Sequence, residues 1–97
     1  MKFTFKKYIP TGQYRSFELG STDIKMKGHM VGQIAQTRDE GWRVGFTVKK
    51  EATKESPAPF KWVFFKVRFS TEKEARVDVI KAEEQIQKRF DLYQFEK

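Results

Sequence analysis

A chain of 97 residues is one small domain, spanning 1–97, and it sits near the lower end of what a single hydrophobic core holds together without staples. With no cysteine, neither a disulfide framework nor a thiolate metal site can form, and no apolar run approaches the roughly 20 residues that cross a bilayer, so a cytoplasmic protein away from membranes is expected. Twenty Lys and Arg against thirteen Asp and Glu leave a charge of +7, a surplus that suits polyanionic partners and that solubility alone would also explain.

The opening KFTFKKYI alternates Phe3 and Phe5 with polar residues and predicts a strand over 2–9. Pro10 to Gly12 supplies a turn, and alternation resumes through Arg15, Phe17 and Leu19, predicting a strand over 13–19 and hence a hairpin. Gly20 to Asp23 interrupts the pattern. Ile24, Met26, Gly28, Met30, Gly32 and Ile34 then fall on one face of a single long strand over 24–37, with glycines that suggest close packing or a bulge. Arg38 to Gly41 turns the chain into a strand over 42–50 whose buried face is Trp42, Val44, Phe46 and Val48. Lys49 to Pro59 is charged and proline-containing with no apolar period, as expected of an exposed loop.

In FKWVFFKVRF, a strand over 60–69, Val63, Phe65, Val67 and Phe69 point one way and Trp62, Phe64, Lys66 and Arg68 the other. The period then changes from 2 to 3.6. Thr71 to Glu74 is a capping box, and Ala75, Val79, Ala82, Ile86 and Phe90 recur at spacings of four and three, predicting one helix over 71–90 with an apolar stripe for the sheet. Leu92, Tyr93 and Phe95 read as a final short strand or a docking arm. The fold class is α+β: an antiparallel sheet of about five strands with one C-terminal helix packed on one face.

The other face is assembled from residues that alternate outward. These are Lys25, Lys27, His29, Val31 and Gln33, then Arg43, Gly45, Thr47 and Lys49, then Trp62, Phe64, Lys66 and Arg68. None is a carboxylate, whereas the helix carries Glu72, Glu74, Asp78, Glu83 and Glu84. Cations for phosphates, interleaved with flat rings for bases or sugars, are what nucleic acid requires. Lys25, Lys27, Arg43, Thr47, Lys49, Trp62, Phe64, Lys66 and Arg68 are therefore the candidate contacts. Against this, the N-terminal hairpin or the C-terminal tail would bury Trp62 and Phe64 if it wrapped over them as a second small core. A one-residue register slip would exchange the two faces.

His29, the one histidine, has no cysteine or carboxylate pair beside it and makes no metal site. Ser16, Ser21, Ser56 and Ser70 lie outside any nucleophile-elbow context. Trp42 after Gly41 reads as a core anchor, and Glu83-Glu84 as a solvated helix face. No enzymatic activity, cofactor or metal is expected.

The segment from Lys27 to Glu84 resembles the three-stranded-sheet-plus-helix DNA-binding domain of ethylene-response factors and of tyrosine-recombinase N-terminal domains. The matching features are the strand from Gly28 to Gln36, Gly41-Trp42-Arg43-Val44 after a tight turn, and Phe69 to Ala75 entering the helix. The resemblance implies strands laid in a major groove, with Lys27, Arg43, Thr47, Trp62 and Lys66 facing duplex DNA; the N-terminal hairpin is an addition to the pattern. In order of elements the chain also resembles the Whirly and transcriptional-coactivator type of single-strand binder, which implies single-stranded DNA or RNA as ligand and a homodimer as the working form. The competing class is a small phage- or plasmid-type interaction protein that modulates a host enzyme through the same surface, since Trp, Phe, Met and Arg also dominate protein interfaces.

Overall fold

The computed structural model describes residues 2–8, 21–37 and 41–95; the turn at Pro10 to Gly12, the strand expected over 13–19 and the turn residues Arg38 to Glu40 lie outside them. Five strands, β1 (Thr4–Tyr8), β2 (Ser21–Met26), β3 (His29–Thr37), β4 (Gly41–Lys49) and β5 (Phe60–Phe64), pair antiparallel in chain order. Two helices follow, α1 (Glu72–Lys81) and α2 (Glu83–Arg89), so the class is α+β. The alternating segments become strands because each can bury one face, and sequential antiparallel pairing needs only short connections.

The long strand expected over 24–37 is a hairpin that begins earlier, at Ser21. Lys27 and Gly28 form its two-residue turn with φ of 54° and 81°, the left-handed pair whose twist matches the flanking strands. Gly28 adopts it freely, whereas Lys27 does so against its Cβ. The run nevertheless reads as one strand because two phase changes cancel. The turn makes Met26 the partner of His29, which inverts the alternation, and the register then slips so that Ile24 faces Gly32 while Lys25 faces Met30. Val31 is the extra residue of this bulge, and Ile24, Gly32 and Ile34 return to a common face.

On that face Phe5, Ile24, Gly32, Phe46 and Val63 stand in one cross-strand row. Phe46 is 1% exposed, with ring centroids 5.6 Å from both Phe3 and Phe65. The helices close this face with Ala75, Val79 and Ile86, all buried, and Ala82 and Phe90 pack at the margin. Thr71 caps α1 by accepting from the Glu74 amide at 3.2 Å, and the Glu74 carboxylate reaches back to the Ser70 amide. In place of one helix over 71–90 there is a break at Ala82, whose φ of −97° and ψ of 3° leave the helical region. The apolar stripe carries on because the Ile86 amide still bonds the Ala82 carbonyl. Glu83 is no solvated side chain: its carboxylate accepts from the Phe3 amide at 3.2 Å and ties β1 to the helix.

The strand expected over 60–69 ends at Phe64. Phe65 donates to the Val44 carbonyl, the chain leaves the sheet, and Phe69 returns to exchange backbone hydrogen bonds of 2.9 Å with Trp42. Because Phe64 partners Gly45, an uninterrupted ladder would bring Val67 to Trp42, so two extra residues are accommodated. Val67, expected inward, is 60% exposed, and the Arg68 guanidinium pins the excursion by donating to the Phe65 carbonyl at 3.0 Å.

The tail is both a strand and a docking arm. Direct pairing of β3 with β4 stops at Gly32 and Phe46, and residues 91–95 enter beyond that point. Lys49 donates to the Asp91 carbonyl, Tyr93 to the Thr47 carbonyl and Phe95 to the Met30 carbonyl. Leu92 bridges Val48 and is buried in the core.

Glu72 joins the start of α1 to the sheet. Its carboxylate accepts from Thr22 at 3.0 Å and from Arg76, whose guanidinium also lies 5.0 Å from the Phe5 ring centroid. Burial pushes its pKa up, but the hydrogen bonds from Arg76 and Thr22 and the charges of Arg76 and Lys7 outweigh burial and hold it below the ordinary glutamate range. A lowered carboxylate pKa stabilises the fold fully above the unfolded-state value, and that stabilisation is lost as pH falls through the folded-state value. Urea denaturation should therefore show stability declining through the acidic range below the ordinary glutamate pKa, with a shallower decline in Glu72→Gln. In the core, Ile86→Ala should lower unfolding free energy by about 2–5 kcal/mol; an unchanged melting temperature would contradict the packing described.

Candidate nucleic-acid interface

The second face is organised by what stands opposite β5. Phe60, Trp62 and Phe64 alternate along this edge strand and partner Lys49, Thr47 and Gly45 of β4. Gly45 is small enough for the Phe64 ring to lean across β4, since a Cβ there would sit 2.5 Å from Phe64 Cδ1 and 3.3 Å from Trp62 Cε3. The Trp62 and Phe64 rings are parallel, with centroids 5.8 Å apart and planes inclined by 9°. The Arg43 guanidinium carbon lies 4.2 Å from the Phe64 centroid, in cation–π range. Phe64 is thus shared between an indole and a guanidinium and remains 44% exposed. Arg43 Nε is buried without a hydrogen-bond partner, and among the described residues no carboxylate forms an ion pair with this side chain.

The C-terminal tail covers the far end of the strip. Phe60 stacks on Tyr93 at 5.0 Å and meets the edge of Phe95 at 4.7 Å, so the tail forms a second small core that, among the described residues, reaches Phe60. Thr47 lies beneath this arm and is fully buried, its hydroxyl 2.9 Å from the Tyr93 carbonyl and 3.1 Å from that of Val31. With one proton it serves these two acceptors in turn or by sharing. His29 Nδ1 bonds the Phe95 carbonyl at 3.1 Å, an arrangement that requires the proton on that nitrogen because a carbonyl only accepts.

The nine candidate residues separate into groups. Arg43, Trp62 and Phe64 are brought together as one array. Thr47 is withdrawn from the surface by the tail. Lys27 sits at the tip of the β2–β3 turn rather than on the sheet, because the strand expected there is a hairpin. Lys25 is half-buried between Thr4 and Met30. Lys49 is exposed and lies 3.5 Å from Asp91, a solvated pair of small energetic weight. Lys66 and Arg68 are exposed on the excursion after β5, with Arg68 engaged by the backbone.

The face does carry a carboxylate. Lys6, Asp23, Gln33, Gly45 and Phe64 form one cross-strand row, and Gln33 donates to Asp23 at 3.1 Å. Asp23 was missed because the interruption at Gly20 to Asp23 reads as a turn, whereas β2 already begins at Ser21. Phe60, Tyr93 and Phe95 also join the aromatic strip. Their signal was the aromatic tail, whose place in the sheet is a long-range fact.

Among the described residues no group of His, Asp or Glu could hold a metal ion, and no helix is long and apolar enough to cross a membrane. No protein-family model, curated protein or solved structure matches this chain.

Gly45→Ala tests the array itself. The added methyl must push the Phe64 ring aside, so in a Trp42→Phe background the Trp62 emission should shift while far-ultraviolet circular dichroism stays that of the parent. An unaltered emission spectrum would show that the rings do not rest on Gly45.

Proposed function

We propose that this protein binds nucleic acid through the aromatic edge of its open sheet face. The observation that supports it is the array of Trp62, Phe64 and Arg43: two parallel rings and a guanidinium without an ion-pair partner among the described residues, part-exposed on an edge strand. Rings offer stacking surfaces and the guanidinium a partner for phosphate. Lys61 and Lys66 are exposed on and just after the same strand, and the net charge of +7 adds a general attraction to the polyanion. The resemblance to sheet-type DNA-binding domains and to single-strand binders points the same way, and a role among cytoplasmic nucleic acids accords with it.

A second reading is a protein-interaction module, favoured by large apolar side chains elsewhere on the surface. Val77 and Ile80 of α1 are 43% and 48% exposed, and Val77 lines a groove with Phe69. Salt separates the two readings, because phosphate contacts weaken steeply with salt and a hydrophobic hot spot does not.

In an anisotropy titration with a labelled mixed-sequence oligonucleotide, affinity should fall log-linearly with salt. Lys66→Ala should lower the slope by about one unit for one lost phosphate contact, with unfolding unchanged. Absence of binding at low salt would remove this reading and leave the interaction module.

A further inference from the structure

We infer that the ligand is a single strand, laid along β5 with a base against Trp62 and a phosphate at Arg43, and that duplex DNA is not the target. The inference rests on the nucleic-acid reading and narrows it by the way charge and aromatic surface are distributed over the face.

A sheet that reads a duplex groove needs long cationic or polar side chains rising from its central strands toward phosphates and base edges. Here most of the centre is short, and Lys25 of β2 is half-buried. Ala35 and Gly45 have little or no side chain, Gln33 is bonded to Asp23, and Thr47 is buried under the tail. Of the two long cations of β4 that face this side, Lys49 stands at the end of the strand beside Asp91 and Arg43 is laid against Phe64 instead of standing free. Asp23, bonded by Gln33 and opposite Lys6, leaves the middle of the face without a net positive charge to meet the phosphates of an approaching duplex.

The edge has the opposite character. Phe64 and Trp62 present ring surface, and in the duplex such surface has no counterpart, because the bases lie stacked about 3.4 Å apart along each strand with their faces occupied. Opening a step to admit a ring costs a few kcal/mol; an unpaired strand has its faces available already and stacks on aromatic side chains without that penalty. The Trp62 and Phe64 ring centroids lie 5.8 Å apart, wider than the roughly 3.4 Å step of stacked bases, so the rings are spaced for splayed bases rather than for stacked pairs. Arg43 supplies the anion site. Its guanidinium lies part-exposed beside the Phe64 ring, and no carboxylate among the described residues neutralises it. A phosphate beside the Phe64 ring would compensate that charge without disturbing the cation–π contact.

The test compares an oligothymidylate with a mixed-sequence hairpin duplex of similar phosphate number, by anisotropy at low and at moderate salt. The single strand should bind at least tenfold tighter at both. Trp62→Ala should weaken it by roughly 5- to 100-fold, and Arg43→Gln should weaken it and reduce the salt slope by about one unit; both variants are checked for native circular dichroism. Should Trp62→Ala fail to fold, Arg43→Gln and Gly45→Ala carry the same comparison, since each alters the array from β4. Equal or tighter binding of the duplex, or single-strand binding indifferent to Arg43→Gln, overturns the single-strand inference and leaves nucleic-acid binding standing. No binding of either oligonucleotide at low salt overturns both.

Discussion

The structure depends on an aromatic ring lying across a glycine of the neighbouring strand, and it uses this contact twice. On the helix side Phe46 of β4 stands opposite Gly32 of β3, where a Cβ would meet the Gly45 carbonyl oxygen and come 2.9 Å from the Phe46 ring. Removing the side chain at that point lets Phe46 lie low over the sheet and touch Phe3 and Phe65 on either hand. The small and branched residues Ala75 and Val79 of α1 can then close over it. Packing of this density is what makes each methyl group of such a core count. On the opposite side the next residue of β4, Gly45, receives Phe64 from β5 in the same manner. One strand thus places a ring on one face and accepts a ring on the other at adjacent positions, as the period of two requires.

The two contacts meet different fates. The helices cover the face that bears Phe46. On the other face the described residues place the five-residue tail, which reaches β3, β4 and Phe60. The tail wedges between β3 and β4 where their pairing stops, uses the Thr47 hydroxyl to secure its backbone, and stacks Tyr93 and Phe95 on Phe60. Beyond Phe60 no described residue is seen to lie over the strip, where Phe64 is exposed and Trp62 and Arg43 are half-buried. A guanidinium over a ring keeps part of its charge in water and shields the apolar surface below. An array that is tolerable in the free protein and can still take a ligand is the result.

Carboxylates serve the helix side, where Glu72 and Glu83 fasten the helices to β2 and β1, while exposed lysines stand on β1, on the helices and along the edge strand and the segment after it. The interior of the open face is close to neutral, with Asp23 held by Gln33 opposite Lys6. Beside the aromatic strip Arg43, Lys61 and Lys66 place three cations along the β5 edge, where a flexible polyanion would lie under the proposed function.

Much of this was legible from residue order alone. The α+β class, the inward set of Val44, Phe46 and Val48, the capping box at Thr71, the stripe of Ala75, Val79 and Ile86, and the pairing of Trp62 with Phe64 on the far face all follow from periods of 2 and 3.6, which are local properties of the backbone. Where elements begin and end was less so. The hairpin at Lys27 and Gly28 was hidden because its turn and the bulge at Val31 shift the alternation in opposite senses and cancel. The excursion at Lys66 to Arg68 was hidden because an apolar-polar rhythm continues through it, although two residues leave the ladder. Thr47 looked outward and is outward, yet it is buried, since only the path of the tail decides what lies above it. Local sequence thus determined which side chains share a face within each regular stretch, though not across the turn at Lys27, the bulge at Val31 or the excursion at Val67. Coverage of that face, the register of its strands and the partners of Arg43 were decided by contacts between residues far apart in the chain, which no local period encodes.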